Sequence, residues 1–236
     1  MSRRRLEEIN AGSMADIAFL LLIFFIVTAS LSLEEGIPKI LPEKVSIPTD
    51  AKIHERDLFS ININDKNELL VETKTITLDV LAKQFYTYYT VNEFSADIDK
   101  NQPNYKNYTY STLLSDLNNA QLEFEKDPGN KILESKVKRL KRLLTIIKLM
   151  PNQKLNVIND HAAVQITQKA NTSYGTYIAV LTEIEKVINQ IRAQKCRAIF
   201  NQSYYDLDAN DPKDIQKIQL LATLVPERIY EPAIKN

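Results

Sequence analysis

The segment Met14–Leu33, MADIAFLLLIFFIVTASLSL, decides the reading of this 236-residue chain. From Ile17 to Ala29 its only polar residue is Thr28. The segment's 20 residues rise about 30 Å as an α-helix, the thickness of a bilayer's hydrocarbon core. Arg3, Arg4 and Arg5 precede it, and Glu34 and Glu35 follow. That asymmetry predicts a cytoplasmic N-terminus and an outward remainder. A cleaved signal peptide shares the outline, with Val27-Thr28-Ala29 as its cleavage site. Glu7 and Glu8 ahead of the apolar run, and Asp16 at its mouth, argue for a retained anchor instead.

Asp16 is the one ionisable residue of the span. A charge at the centre of a spanning helix costs about 2.5–3.5 kcal/mol, and less toward the end. Two readings are open at this point. Asp16 caps the helix at the interface, after Gly12 and Ser13, or it is a protonatable group within a helix bundle. Desolvation of a carboxyl brings its neutral and ionised forms close in free energy. A proton crossing is worth about 2.3 kcal/mol per 100 mV of membrane potential. A relay partner for Asp16 must come from another chain. Ala11, Gly12, Ser13, Ala15 and Ala18 are small enough for close helix packing at the same end.

Ile9-Asn10-Ala11-Gly12-Ser13-Met14-Ala15-Asp16, followed by IAFLLLIFFIVTA, resembles the N-terminal signature of the ExbD/TolR biopolymer-transport family. Ile37-Pro38-Lys39-Ile40-Leu41-Pro42 resembles the family's short proline-ended stretch. Val164-Gln165-Ile166 with Thr172 to Ile178 resembles its strand, Tyr-Gly turn and helix. Ser13 stands where many relatives carry proline.

The resemblance implies a bacterial inner-membrane subunit, single-pass, with its C-terminal domain in the periplasm. It implies a motor driven by proton-motive force that energises TonB-dependent or Tol-type outer-membrane processes. Asp16 is then the proton-transfer residue, and Asn10, Gly12, Ser13 and Thr28 are packing positions near the path. The implied partners are a multi-span ring protein of the ExbB/TolQ kind, a TonB- or TolA-like energy transducer, a second copy in a homodimer, and membrane lipid. The residues alone also allow a single-span scaffold or binding module without proton transport.

Composition narrows the other classes. Lys+Arg and Asp+Glu both total 30, so global charge gives no case for a nucleic-acid partner. Cys196 is alone and reads as a small buried residue. Two histidines, His54 and His161, and four glycines leave no metal motif and no phosphate loop, so no cofactor is expected. Asp206, Asp208, Asn210 and Asp211 resemble the start of a calcium loop, but Lys217 stands where its final Glu belongs. They read as a polar loop capping the next helix. No nucleophile elbow is present, and a non-enzymatic chain is expected.

The rest predicts an α+β architecture: one N-terminal transmembrane helix, then a two-layer domain with a small sheet, helices on one face, and an inserted helical hairpin. The expected divisions are 1–13 cytoplasmic, 14–33 transmembrane, 34–57 extended linker, and 58–236 domain, with the insertion at about 92–154. Phe59, Ile61 and Ile63 alternate as a half-buried strand. Asn64–Asn67 reads as a turn and Glu68–Glu72 as the returning strand, followed by a short strand at Thr75–Thr77. Leu81, Phe85 and Tyr88 share one face of a helix over 78–89. Ala162, Val164 and Ile166 alternate again, and Tyr177, Leu181, Ile184, Ile188 and Ile191 mark a long helix with Ser173 as N-cap. A helix over Pro212–Leu224 and an extended tail near Arg228–Tyr230 close the chain.

Within the insertion, Tyr105, Tyr108 and Tyr110 read as an irregular tyrosine-rich loop. Leu113, Leu117 and Phe124 mark one helix. Leu133, Val137, Leu140, Leu144 and Ile147 mark a second, with heptad-like spacing that fits either the first helix or a second copy. Its cations, Lys131, Lys136, Lys138, Arg139, Lys141, Arg142 and Lys148, read as a solvated face or a site for lipid head groups or an acidic partner.

Overall fold

The computed structural model describes residues 11–29 and 54–232. The chain divides into two units, Met1–Lys39 and Ile40–Asn236. In the first, α1 (Ala11–Ala29) is an unbroken helix of 19 residues, a rise of about 28 Å. From Met14 to Ile26 its side chains are exposed all round the helix, and all but Asp16 are apolar. Among the described residues no helix is long and apolar enough to cross a membrane. Asn10, residues 30–33 of the expected span and residues 34–53 of the expected linker lie outside the described residues.

The second unit begins with a 3₁₀ turn, Glu55–Asp57, that runs into β1 (Leu58–Ile63). Strand β1 buries Phe59, Ile61 and Ile63 and leaves Ser60 and Asn62 half-exposed, as its alternation demands. The following turn is built by Asn64, whose Oδ1 accepts from the Lys66 and Glu68 N–H groups at 2.9 Å each. Asn67 takes φ 61° there, a left-handed conformation asparagine tolerates well. Strands β2 (Leu69–Val71) and β3 (Lys74–Ile76) pair antiparallel after it.

Next comes α2 (Leu78–Thr90), which buries Leu81, Phe85, Tyr88 and Tyr89 on one face. After the inserted elements, β6 (Ala163–Gln168) pairs parallel with β1, placing Ile61 opposite Ile166. Helix α5 (Tyr174–Phe200) starts at Ser173, whose Oγ accepts from the Thr176 N–H. The last elements are α6 (Pro212–Leu224) and β7 (Ile229–Tyr230), which pairs parallel with β6. The main sheet therefore runs β3-β2-β1-β6-β7, with α2 and α5 packed on its apolar face. Each large side chain fully buried there, such as Ile61 or Phe85, contributes about 1.5–3 kcal/mol of transfer free energy.

The tyrosine-rich loop expected around residue 105 is instead a strand. Its length from Tyr105 to Thr109 pairs antiparallel with Lys154–Ile158, forming β4 and β5 of a second, two-stranded sheet. Tyr108 and Leu155 face each other in that register and are both buried. The asparagines between the tyrosines hid the alternation. Between these strands, α3 (Tyr110–Lys126) and α4 (Lys131–Leu149) form the expected hairpin. Thr109 and Thr112 make a capping box at the start of α3, and Asn130 accepts from the Ile132 and Leu133 N–H groups at the start of α4.

The buried stripe of α4 is Val137, Leu140, Leu143, Ile146 and Ile147. Leu133 and Leu144, expected in a 4-3-4-3 seam, sit only at its margin. Two neighbours explain the change. This chain's α3 packs along one side of α4 and α6 along another, which widens the apolar stripe beyond a coiled-coil seam. The seam is thus filled within the chain.

Candidate functional site

In α1, Asp16 is the one ionisable side chain between Ala11 and Ala29. Helical spacing puts Gly12 and Ser13 one turn ahead on its face and Phe19, Leu20 and Ile23 behind it. Thr28 lies about 18 Å further along the axis. By spacing alone Gly12 and Ser13 share a helix face with Asp16 and Thr28 falls near the far end, while Asn10 lies outside the described residues.

In the second unit a buried polar cluster lies where the chain runs into β1, a place that sequence reasoning passed over as linker. Asp57 is fully buried. Its Oδ2 accepts from Asn159 Nδ2 at 2.9 Å, while its backbone carbonyl accepts from the Tyr88 hydroxyl at 2.7 Å. Oδ1 has no hydrogen-bond donor and lies 4.0 Å from Arg56 Nε. Burial pushes the Tyr88 hydroxyl pKa well up, with the adjacent Tyr89 as a further cause.

Arg228, read from sequence as part of an extended tail, closes the cluster from the C-terminal side. Its Nη1 donates to the carbonyls of Asn159 at 3.0 Å and Ala162 at 3.1 Å, and Nη2 stands 3.8 Å from Asp160 Oδ1. Burial lowers the guanidinium pKa. Asp160 also pairs with Arg139 of α4. Nearby, Tyr89 donates to the Pro226 carbonyl at 2.5 Å. Asp57, the turn after β5, the inserted helix and the C-terminal segment are thereby tied at one corner. No single-residue pattern announces such a cluster, because its members are 102 and 69 positions apart.

The carboxylate of Asp57 and the guanidinium of Arg228 are closed off from water in this corner. Among the described residues no group of three His, Cys, Asp or Glu side chains could hold a metal. Asp211, from the acidic loop, accepts from the Lys213 N–H and caps α6, as the polar-loop reading expects. Cys196 is buried with Tyr204, Leu207, Ile218 and Leu221, and burial raises its thiol pKa.

The described residues are thus a helix carrying one carboxylate and, after it in sequence, an α+β domain. The sequence model described as "Biopolymer transport protein ExbD/TolR" matches residues 2–194, and the chain belongs to that family. The match ends inside α5, so the end of that helix, α6 and β7 fall outside it. No curated protein and no solved structure matches the chain.

Proposed function

We propose that this chain is the inner-membrane subunit of a motor driven by proton-motive force, with Asp16 in the proton path. The single observation that carries the reading is one carboxylate in a helix whose other described side chains are apolar and exposed all round. Family membership supplies the context of biopolymer transport. Such a helix needs cover from other polypeptides or lipid, and its carboxylate needs a partner that this chain's α1 does not contain. A multi-span ring of the ExbB/TolQ kind supplies both. Small residues at Gly12 and Ser13 let a neighbouring helix approach the Asp16 face closely.

The outward domain is the coupling element toward a TonB- or TolA-like transducer, in a homodimer. Displacement of the anchor reaches it through the chain that enters at Asp57, where buried hydrogen bonds hold that residue to Asn159 after β5 and to Tyr88 of α2. The test is Asp16→Asn in the assembled complex. Energised transport and proton flux fall to background while membrane insertion and protein level stay unchanged. Transport equal to wild type would overturn the proton path and leave a single-span scaffold. That reading predicts unchanged activity when residues 14–33 are replaced by an unrelated span.

A further inference from the structure

The cations of α4 have no part in that reading. The helix carries seven of them against one carboxylate, Glu134, in a chain whose 30 cations are matched by 30 carboxylates overall. Three are neutralised locally: Lys136 by Glu123 at 2.9 Å, Lys138 by Glu134 at 2.6 Å, and Arg139 by Asp160. Lys131, Lys141, Arg142 and Lys148 form no ion pair among the described residues, and Lys148 sits 6.0 Å above the Tyr110 ring.

Helical spacing aligns Lys131, Lys138, Arg142 and Leu149 on the face opposite Leu140, with Lys141 and Lys148 along one flank. Lys131, Lys138, Lys141 and Lys148 are exposed, Arg142 is half-exposed, and Leu149 is an exposed apolar side chain at the end of the row. From Lys131 to Lys148 this ridge runs about 26 Å. No α4 residue lines the cleft around Asn67 and Thr176 or the one around Gln190 and Tyr205.

A row of charge along an exposed helix face suits a plane, whereas an acidic peptide is held by a groove. Lys138 is held by Glu134 on the same side, and the three other lysines of the row and its flank are point charges without the fixed fork that a shaped carboxylate site uses. Such charges suit a fluid array of phosphates, and Leu149 adds an apolar edge.

We propose that this face of α4 docks the domain onto anionic phospholipid head groups of the membrane that holds α1. The proposal rests on α1 being the anchor. The 24 residues between the described segments, 30–53, span at most about 80 Å, so that surface lies within the chain's own reach. Docking is then intramolecular, and a weak attraction per cation suffices.

The test uses the full chain with a spin label on Thr145→Cys, an exposed position on the ridge; buried Cys196 stays unlabelled. It is reconstituted in vesicles of phosphatidylglycerol with phosphatidylethanolamine, and in vesicles of phosphatidylcholine alone. The expected result is protection of the label from a water-soluble relaxation agent in the anionic vesicles only, lost at high salt. Each Lys→Gln change at 131, 141 or 148 lowers the docked-to-free ratio about fivefold, without moving the unfolding midpoint. Asp16→Asn docks as wild type. Equal exposure in both vesicles, or protection that arises only after an acidic protein is added, overturns the docking while the chain still floats with lipid. A chain that floats with neither vesicle overturns the anchor and the docking together.

Discussion

Helices α1 and α4 are each 19 residues long, yet they solve opposite problems. Helix α4 has eight charged residues and hides its apolar stripe beneath α3 and α6. Helix α1 has one charged residue, and its described apolar side chains are exposed all round. Where a chain covers its own apolar stripe, the polar residues opposite are solvated and act by number. Where it leaves the apolar residues bare, the cover comes from elsewhere and a lone polar residue is chemically singular. Removing one charge should therefore matter greatly in α1 and little in α4.

Asp16→Asn should break the comparison most sharply, with energised transport lost while denaturant unfolding of the domain is unchanged. In α4 the large effects come from the apolar side instead. Leu143→Ala, at a fully buried position, should cost about 2–5 kcal/mol of folding stability by denaturant titration of the full chain in micelles. Asp57→Ala removes the partner of Asn159 Nδ2 and should cost about 1–3 kcal/mol in the same titration. Asn130→Ala, which deletes the cap of α4, should cost about 1 kcal/mol.

The smallest effect is a pH dependence. Burial, with the hydrogen bond to Glu231, pushes the Tyr177 hydroxyl up to about 12 from its ordinary value of 10.0. The folded state thus keeps that proton where the unfolded state loses it. Stability from this group is complete below pH 10 and is lost as pH rises toward 12. Tyr177→Phe should make the alkaline decline in unfolding midpoint shallower.

The main sheet and its helices were legible because each carries a clean period: two in Phe59-Ile61-Ile63, near 3.6 in Leu81-Phe85-Tyr88 and along α5. Helix α6 begins and ends where Asp211-Pro212 and Pro226 place it. Strands β4 and β5 were not legible. Tyr105-Lys106-Asn107-Tyr108-Thr109 buries only Tyr108 fully, and its pairing partner is 45 or more residues away. The Asp57 cluster was hidden for a related reason, since its bonds join segments that share no local pattern. Asp16 was legible because a carboxylate in an apolar run needs no fold to stand out.

The packing of α6 on α4 has a consequence for how this chain can be altered. The family match ends before α6, and Leu220 and Leu224 of that helix belong to the same apolar cluster as Leu140, Leu143 and Ile147 of α4. Two segments more than sixty positions apart in sequence therefore form one packing unit. A variant pruned of the hairpin alone would leave bare leucines on the tail, and one pruned of the tail would leave bare leucines on the hairpin. Shortening this domain without baring that cluster means excising both at once.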